Sequence, residues 1–253
     1  MFQAVELLPK TSQPLILMTR HSIREPADSH GFASYQLPLT AVGRDLAFDW
    51  GKWLVETTGL QVTGCLSSPI PRCVDTARIM LQGAQFAHQP AFDHHDKLEP
   101  THTADDITTS LLNIDQPNIN QHNLLVEPGS FVTDVAQAGP HFKQYGALKF
   151  INAFLQQQLP GMKVPQQGAQ DILRLLFEHR PQQAGQLLLA VSHDTILAAL
   201  FSVMAGQASL LQTDWPEMME GAFLWFEGNR FEQSQVHWIW RGQYYQFSPY
   251  STP

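Results

Sequence analysis

Three short apolar runs, each stopping at a cluster of charged and polar side chains, constrain this chain more than anything else in its sequence. Leu15-Ile16-Leu17-Met18 leads into Thr19-Arg20-His21-Ser22-Ile23-Arg24, and Cys65-Leu66 leads into Ser67-Ser68-Pro69 with Arg72 just beyond. Leu187-Leu188-Leu189-Ala190-Val191 leads into Ser192-His193-Asp194. Apolar runs of this length, bounded by polar residues, read as strands buried on both faces, the pattern of a parallel sheet covered by helices. The spacing predicts strands at 15–20, 62–66 and 187–192. Helices are expected from Thr40 as N-cap to about Glu56, from Pro71 to about Leu81, over 142–158 and 166–180, and over 195–205. Strands alternating with helices imply an α/β fold with a mostly parallel central sheet flanked by helices. A further strand is expected at 91–97, and an antiparallel pair at 222–227 and 235–240 joined across Gly228-Asn229. Residues 100–140 read as loops and short helices capping one edge.

Ligands bind outside the carboxyl ends of the strands in open sheets of this kind. That edge would carry Arg20, His21, Arg24, Arg72, His193 and Asp194. Two guanidiniums flanking an imidazole suit a small polyanion, because each offers a fixed fork of donors matched to phosphate oxygens. Arg72 adds its charge in the first turn of a helix, where anions are already favoured. Neighbouring positive charge biases His21 toward its neutral form, and a neutral imidazole is a nucleophile. With 15 Lys and Arg in the whole chain and a net charge of −8, three arginines at strand ends are hard to ascribe to solvation. The same net charge argues against nucleic acid or an anionic membrane as partner, since both need basic surface.

The chain resembles the histidine phosphatase superfamily, whose hallmark is Arg-His-Gly with a second Arg two residues after the glycine. Arg20-His21-Ser22-Ile23-Arg24 matches at every position but the glycine. The family's middle motif, a Ser-Ser-Pro turn with an Arg and then Thr-Ala, is matched by Ser67, Ser68, Pro69, Arg72, Thr76 and Ala77, and its late histidine by His193. Leu39-Thr40-Ala41-Val42-Gly43-Arg44 is similar to the family's Leu-Thr-x-x-Gly helix start. The resemblance implies a phosphoglycerate mutase-like fold and a phosphomonoester hydrolase acting through a phosphohistidine on His21, with phosphate held by Arg20, Arg24, Arg72 and His193. Ser22, in the glycine's place, is either a steric concession or an additional phosphate donor. His193-Asp194-Thr195 is closer to the acid phosphatase branch, in which the aspartate protonates the leaving group. Glu99, in Leu98-Glu99-Pro100, is the alternative acid, in the place used by the mutase branch. A mutase-like phosphotransferase and an inactive phosphoester-binding regulator are the competing functions.

At 253 residues, one domain with a cap insertion at about 83–165 is the expected organisation. The cap's low basicity argues against highly phosphorylated substrates. No stretch has the length of a membrane span, and the start Met1-Phe2-Gln3-Ala4-Val5 lacks a basic, sustained apolar leader, so a cytoplasmic location is expected. Cys65 and Cys73 are the only cysteines and are expected as thiols. His88, His94, His95 and His102, with Asp93 and Asp96, raise metal hydrolysis as a different chemistry, but their spacing matches no zinc signature, and neither metal nor cofactor is expected. Trp225, Phe226, Trp238, Trp240, Tyr244 and Tyr245 alternate as aromatics packed in strands do. The expected partner is a small phosphomonoester. Oligomeric state is not legible in the sequence.

Overall fold

The computed structural model describes residues 2–9, 13–26, 36–87, 118–126 and 129–250. After a short helix α1 (Phe2–Val5), the chain runs through β1 (Leu15–Arg20), α2 (Ala41–Thr58), β2 (Gln61–Ser67), α3 (Pro71–Ala87) and β3 (Ile119–Gln121). It continues with α4 (Val135–Leu155), α5 (Pro165–His179), β4 (Gln186–Ser192) and α6 (Asp194–Met204). Strands β5 (Gly221–Glu227), β6 (Gln235–Trp240) and β7 (Gln243–Phe247) complete a seven-stranded sheet of order β3-β2-β4-β1-β5-β6-β7. Strands β3, β2, β4 and β1 pair in parallel, and β5, β6 and β7 extend the sheet antiparallel beyond β1. The mostly parallel sheet read from the apolar runs is therefore present.

Both faces of the parallel strands are covered, which explains why their side chains are apolar without alternation. On one face Leu15, Leu17, Cys65, Leu187, Leu189 and Val191 pack with α2 and α3. On the other Ile16, Met18, Leu66, Leu188 and Ala190 meet α4, α5 and α6. Helix α6 is buried along its whole length from Thr195 to Met204, not on one face alone. Phe201 stacks on Trp238 at 5.4 Å between centroids, and burying rings of that size stabilises by about 3 kcal/mol each. Trp225, Phe226, Trp238 and Trp240 are core residues as expected, but Tyr244 is 47% exposed because β7 is the sheet's outer strand.

Local signals set several boundaries. Thr40 caps α2 by accepting from the Gly43 amide at 3.0 Å, and Gly59 closes the helix with φ of 68°. A Cβ on Gly43 would collide with the Ile23 carbonyl, and one on Gly51 with the Met80 carbonyl, so glycine lets α2 lie against the segment after β1 and against α3.

Other expectations need correction. Helix α3 continues past Leu81 to Ala87, because Met80, Leu81 and Ala84 keep its buried face. Residues Ile119–Gln121, read as cap loop, form the edge strand β3 against β2. Helix α4 starts at Val135 rather than Phe142, with Asp134 as N-cap, and its helical run breaks at Gly146, where φ is 71°. Strand β7 was not anticipated. The strand expected at 91–97 lies outside the described residues. No helix among the described residues is long and apolar enough to cross a membrane.

Candidate active site

The parallel ladder brings Arg20 level with Ser192, and Ser67 level with Val191. The side chains following these three strands therefore share one edge. His21 and His193 meet there edge to face, with centroids 5.5 Å apart. Arg72, in the first turn of α3, lies between them, donating from Nε to His21 Nε2 at 3.0 Å and reaching His193 Nδ1 with Nη2 at 3.3 Å. All three are buried, at 2%, 1% and 3% exposure.

These contacts fix the protons on both rings. His21 Nδ1 lies 2.7 Å from the Ser22 carbonyl oxygen, which can only accept, so Nδ1 carries the hydrogen and Nε2 presents a lone pair. His193 Nδ1 faces a guanidinium donor, so its hydrogen sits on Nε2 and points at Ser68 Oγ, 2.9 Å away. Ser68, which the sequence offers only as part of a turn, orients the second imidazole.

Burial lowers the pKa of His21 to about 3, helped by Arg72 and Arg20 and opposed by the Ser22 carbonyl and by Asp194. Burial also drives His193 well below the ordinary histidine range, followed by repulsion from His21, Arg72, Arg20 and Arg24. The folded chain thus holds both rings neutral, whereas the unfolded chain protonates them below about pH 6.5. Stability from this source is complete above about pH 6.5 and is lost as the pH falls, His21's share declining until about pH 3. Each ring contributes a slope of about 1.4 kcal/mol per pH unit. Urea unfolding between about pH 6.5 and about pH 4 should show His21→Gln with a shallower pH dependence than the wild type by about one proton. Parallel curves would refute the neutral assignment.

The remaining residues differ in how closely they join this centre. Arg20 pairs with Asp194, Nη2 to Oδ2 at 2.7 Å, and donates from Nη1 to the Pro216 carbonyl at 2.8 Å, while its buried Nε has no partner among the described residues. Asp194 opens α6, with Oδ1 accepting from the Thr195 amide and Oδ2 also accepting from the Trp215 indole at 3.2 Å. Arg24 stands at the rim, half-buried, donating to the Glu25 carbonyl. Glu99 and the histidines at 88–102 lie outside the described residues. Among the described residues no group of histidine, cysteine and carboxylate side chains is placed to hold a metal ion. Cys65 and Cys73 are buried thiols, not joined in a disulfide, and burial pushes the Cys65 thiol up to about 12, which leaves it unreactive.

Ser22, for which the sequence leaves a steric concession or a phosphate donor open, bonds within the protein. Its hydroxyl donates to the Gly43 carbonyl at 2.6 Å and its amide to Thr76 Oγ1 at 3.0 Å, so the buried side chain ties the segment after β1 to α2. Ser22→Ala should cost about 1 kcal/mol of stability through that lost bond and change phosphate affinity less than about twofold. A tenfold weakening of orthophosphate binding would restore the donor role.

A pocket of about 450 Å³ lined by Trp50, Thr213, Glu217, Met218, Met219, Glu220 and Arg241 contains none of the residues at the strand ends.

No protein-family model and no curated protein matches the sequence. Solved structures match along nearly the whole chain. YhfR of Bacillus stearothermophilus is 17% identical with a TM-score of 0.53, over 90% of this chain and 96% of that one. The mycobacterial glucosyl-3-phosphoglycerate phosphatase Rv2419c is 15% identical with a TM-score of 0.52, over 91% and 99%. Mycobacterial hydrolase 2 is 14% identical with a TM-score of 0.53, over 92% of each chain. At these identities the likeness concerns the fold alone, a mostly parallel, phosphoglycerate mutase-like α/β sheet flanked by helices.

Proposed function

We propose that the chain is a phosphomonoester hydrolase that works through a phosphohistidine on His21. The observation that carries this reading is the imidazole itself. It is neutral, its Nδ1 hydrogen is committed to the Ser22 carbonyl, and its Nε2 lone pair faces Arg72 among the arginines of the strand ends. A nucleophile so oriented needs no base, and fixed cations beside it offset the charge that a transferring phosphoryl group spreads over its oxygens. Rv2419c, a phosphatase by name, shows that the fold accommodates the reaction class.

The steps balance as follows. Arg72 turns from the His21 lone pair onto the phosphoryl oxygens, and Nε2 attacks phosphorus in line. The bond from phosphorus to the ester oxygen breaks, and the departing alkoxide takes a proton from Asp194. Asp194 then takes a proton from water, which attacks phosphorus, breaks the bond to Nε2 and leaves as orthophosphate. Arg20, Arg24, Arg72 and His193 hold the equatorial oxygens. This use of Asp194 follows the pattern of the acid phosphatase branch, and Glu99 is the competing acid. Opposite charge in the arginines makes a metal unnecessary.

Purified chain should release orthophosphate from nitrophenyl phosphate and from members of an alkyl phosphate panel. Transfer to an added alcohol without release would favour a mutase-type transferase, and orthophosphate binding without turnover would favour a regulator. Activity should also persist through exhaustive chelation. Loss that zinc or manganese restores would move the chain to the metal hydrolases, with the 88–102 histidines as ligands.

A further inference from the structure

We infer that Arg241 is a positioning residue for the proton donor, acting at a distance through the loop that carries Trp215; the inference rests on Asp194 being that donor. Arg241 and Gly242 form the two-residue connection between β6 and β7, with φ of 51° and 71°. Two positive φ values mark a type I′ hairpin turn, whose first position favours Asn, Asp or Gly. An arginine there bears a backbone cost, and its side chain is what that cost secures.

The guanidinium makes four hydrogen bonds, all to one loop. Nε and Nη2 grip the two carboxylate oxygens of Glu220 at 2.6 and 2.9 Å, Nη1 donates to the Thr213 carbonyl at 2.7 Å, and Nη2 donates to the Trp215 carbonyl at 3.0 Å. The guanidinium also lies over the Trp240 ring at 4.6 Å. Burial works against the Glu220 carboxylate, but its bonds to Arg241 and to the Glu217 amide, with the charge of Arg241, together hold its pKa below the usual range. Glu220 Oε2 additionally accepts from the Glu217 amide, and Asp214 Oδ2 from the Leu211 amide, so the loop from Leu211 to Glu220 is braced at both ends.

The inner side of the same loop meets the reaction centre. The Trp215 indole donates to Asp194 Oδ2, and the Pro216 carbonyl accepts from Arg20 Nη1. Thr19 Oγ1 donates to the Met219 carbonyl at 3.0 Å, and the Arg20 amide to the Glu220 carbonyl at 2.9 Å. Arg241 therefore grips the loop from outside at the very residues, Trp215 and Glu220, whose other atoms orient Asp194 and Arg20. A bidentate fork is required for that grip, which a lysine's point charge does not reproduce.

The test compares turnover of an alkyl phosphate and of nitrophenyl phosphate in the full-length chain, with Asp194→Asn as reference. Arg241→Met and Trp215→Phe should each slow the alkyl ester about tenfold and the nitrophenyl ester less than about twofold, because only the poor leaving group needs the proton. Arg241→Lys should recover part of the loss. In an Asp194→Asn background, Arg241→Met should have no further leaving-group-dependent effect, since both changes act on one step. Trp215→Phe leaves the outer grip intact, so it keeps the test alive if Arg241→Met folds poorly. Equal losses on both esters, or no loss, while Asp194→Asn retains its selectivity, would overturn the positioning role alone. An unselective Asp194→Asn would instead remove the donor assignment and the inference with it.

Discussion

His21→Ala should lower turnover of any phosphomonoester by at least about four orders of magnitude, because it removes the proposed nucleophile, and His193, whose Nδ1 also faces Arg72, is assigned to the phosphate oxygens. Trapping with radiolabelled substrate should leave acid-labile, base-stable phosphate on the wild-type chain and none on the variant. The sequence suggests a nucleophile on an exposed strand end whose removal leaves the fold untouched, but His21 is 2% exposed. Truncation to alanine strands the Ser22 carbonyl and the Arg72 Nε and should cost about 1–3 kcal/mol. His21→Gln, which keeps most of the volume, is therefore the control that separates lost chemistry from lost stability. Equal trapping of phosphate on His21→Gln and wild type would end the covalent role of His21.

The parts of the site that could be read from sequence are those set by local pattern. Apolar runs fixed where β1, β2 and β4 end, so the shared edge of Arg20, His21, Arg72, His193 and Asp194 followed from strand pairing alone. Thr40 could be recognised as a cap because capping is a contact between neighbours in sequence. Contacts made across long separations left no such signal. Ser22 turns to Gly43 because α2 passes close to Ile23, and no composition near Ser22 announces that. The three residues of β3 count as a strand only because β2 offers them an edge. Trp215 and Arg241 reach the centre through the pairing of β1 with β5, strands far apart in sequence that no local pattern joins. Arg241 did leave one trace, an arginine before glycine between two aromatic strands, which is the wrong residue for that turn unless its side chain has work elsewhere.

Asp194→Asn should slow an alkyl phosphate by about two to four orders of magnitude and nitrophenyl phosphate far less. An alkoxide leaves poorly without a proton, whereas nitrophenolate leaves readily without one, so the ratio of the two rates isolates the donor from any general damage. Asp194 is the proposed donor, and its surroundings are compatible with that role. Its side chain is 23% exposed at the N-terminus of α6, beside His193, with Oδ2 shared between Arg20 and the Trp215 indole. Arg20 Nη2 contacts Asp194 while the buried Nε of the same guanidinium has no partner among the described residues, and we propose that an oxygen of the bound phosphoryl group takes that nitrogen. One guanidinium would then tie donor and phosphate into a fixed relation, bringing the carboxyl to the ester oxygen with no further movement of the chain. The same comparison on Glu99→Gln should give an unchanged ratio. If the leaving-group dependence instead follows Glu99→Gln and is absent from Asp194→Asn, proton transfer belongs to the segment after α3, and the Asp194–Arg20 pair serves only to hold the arginine in place.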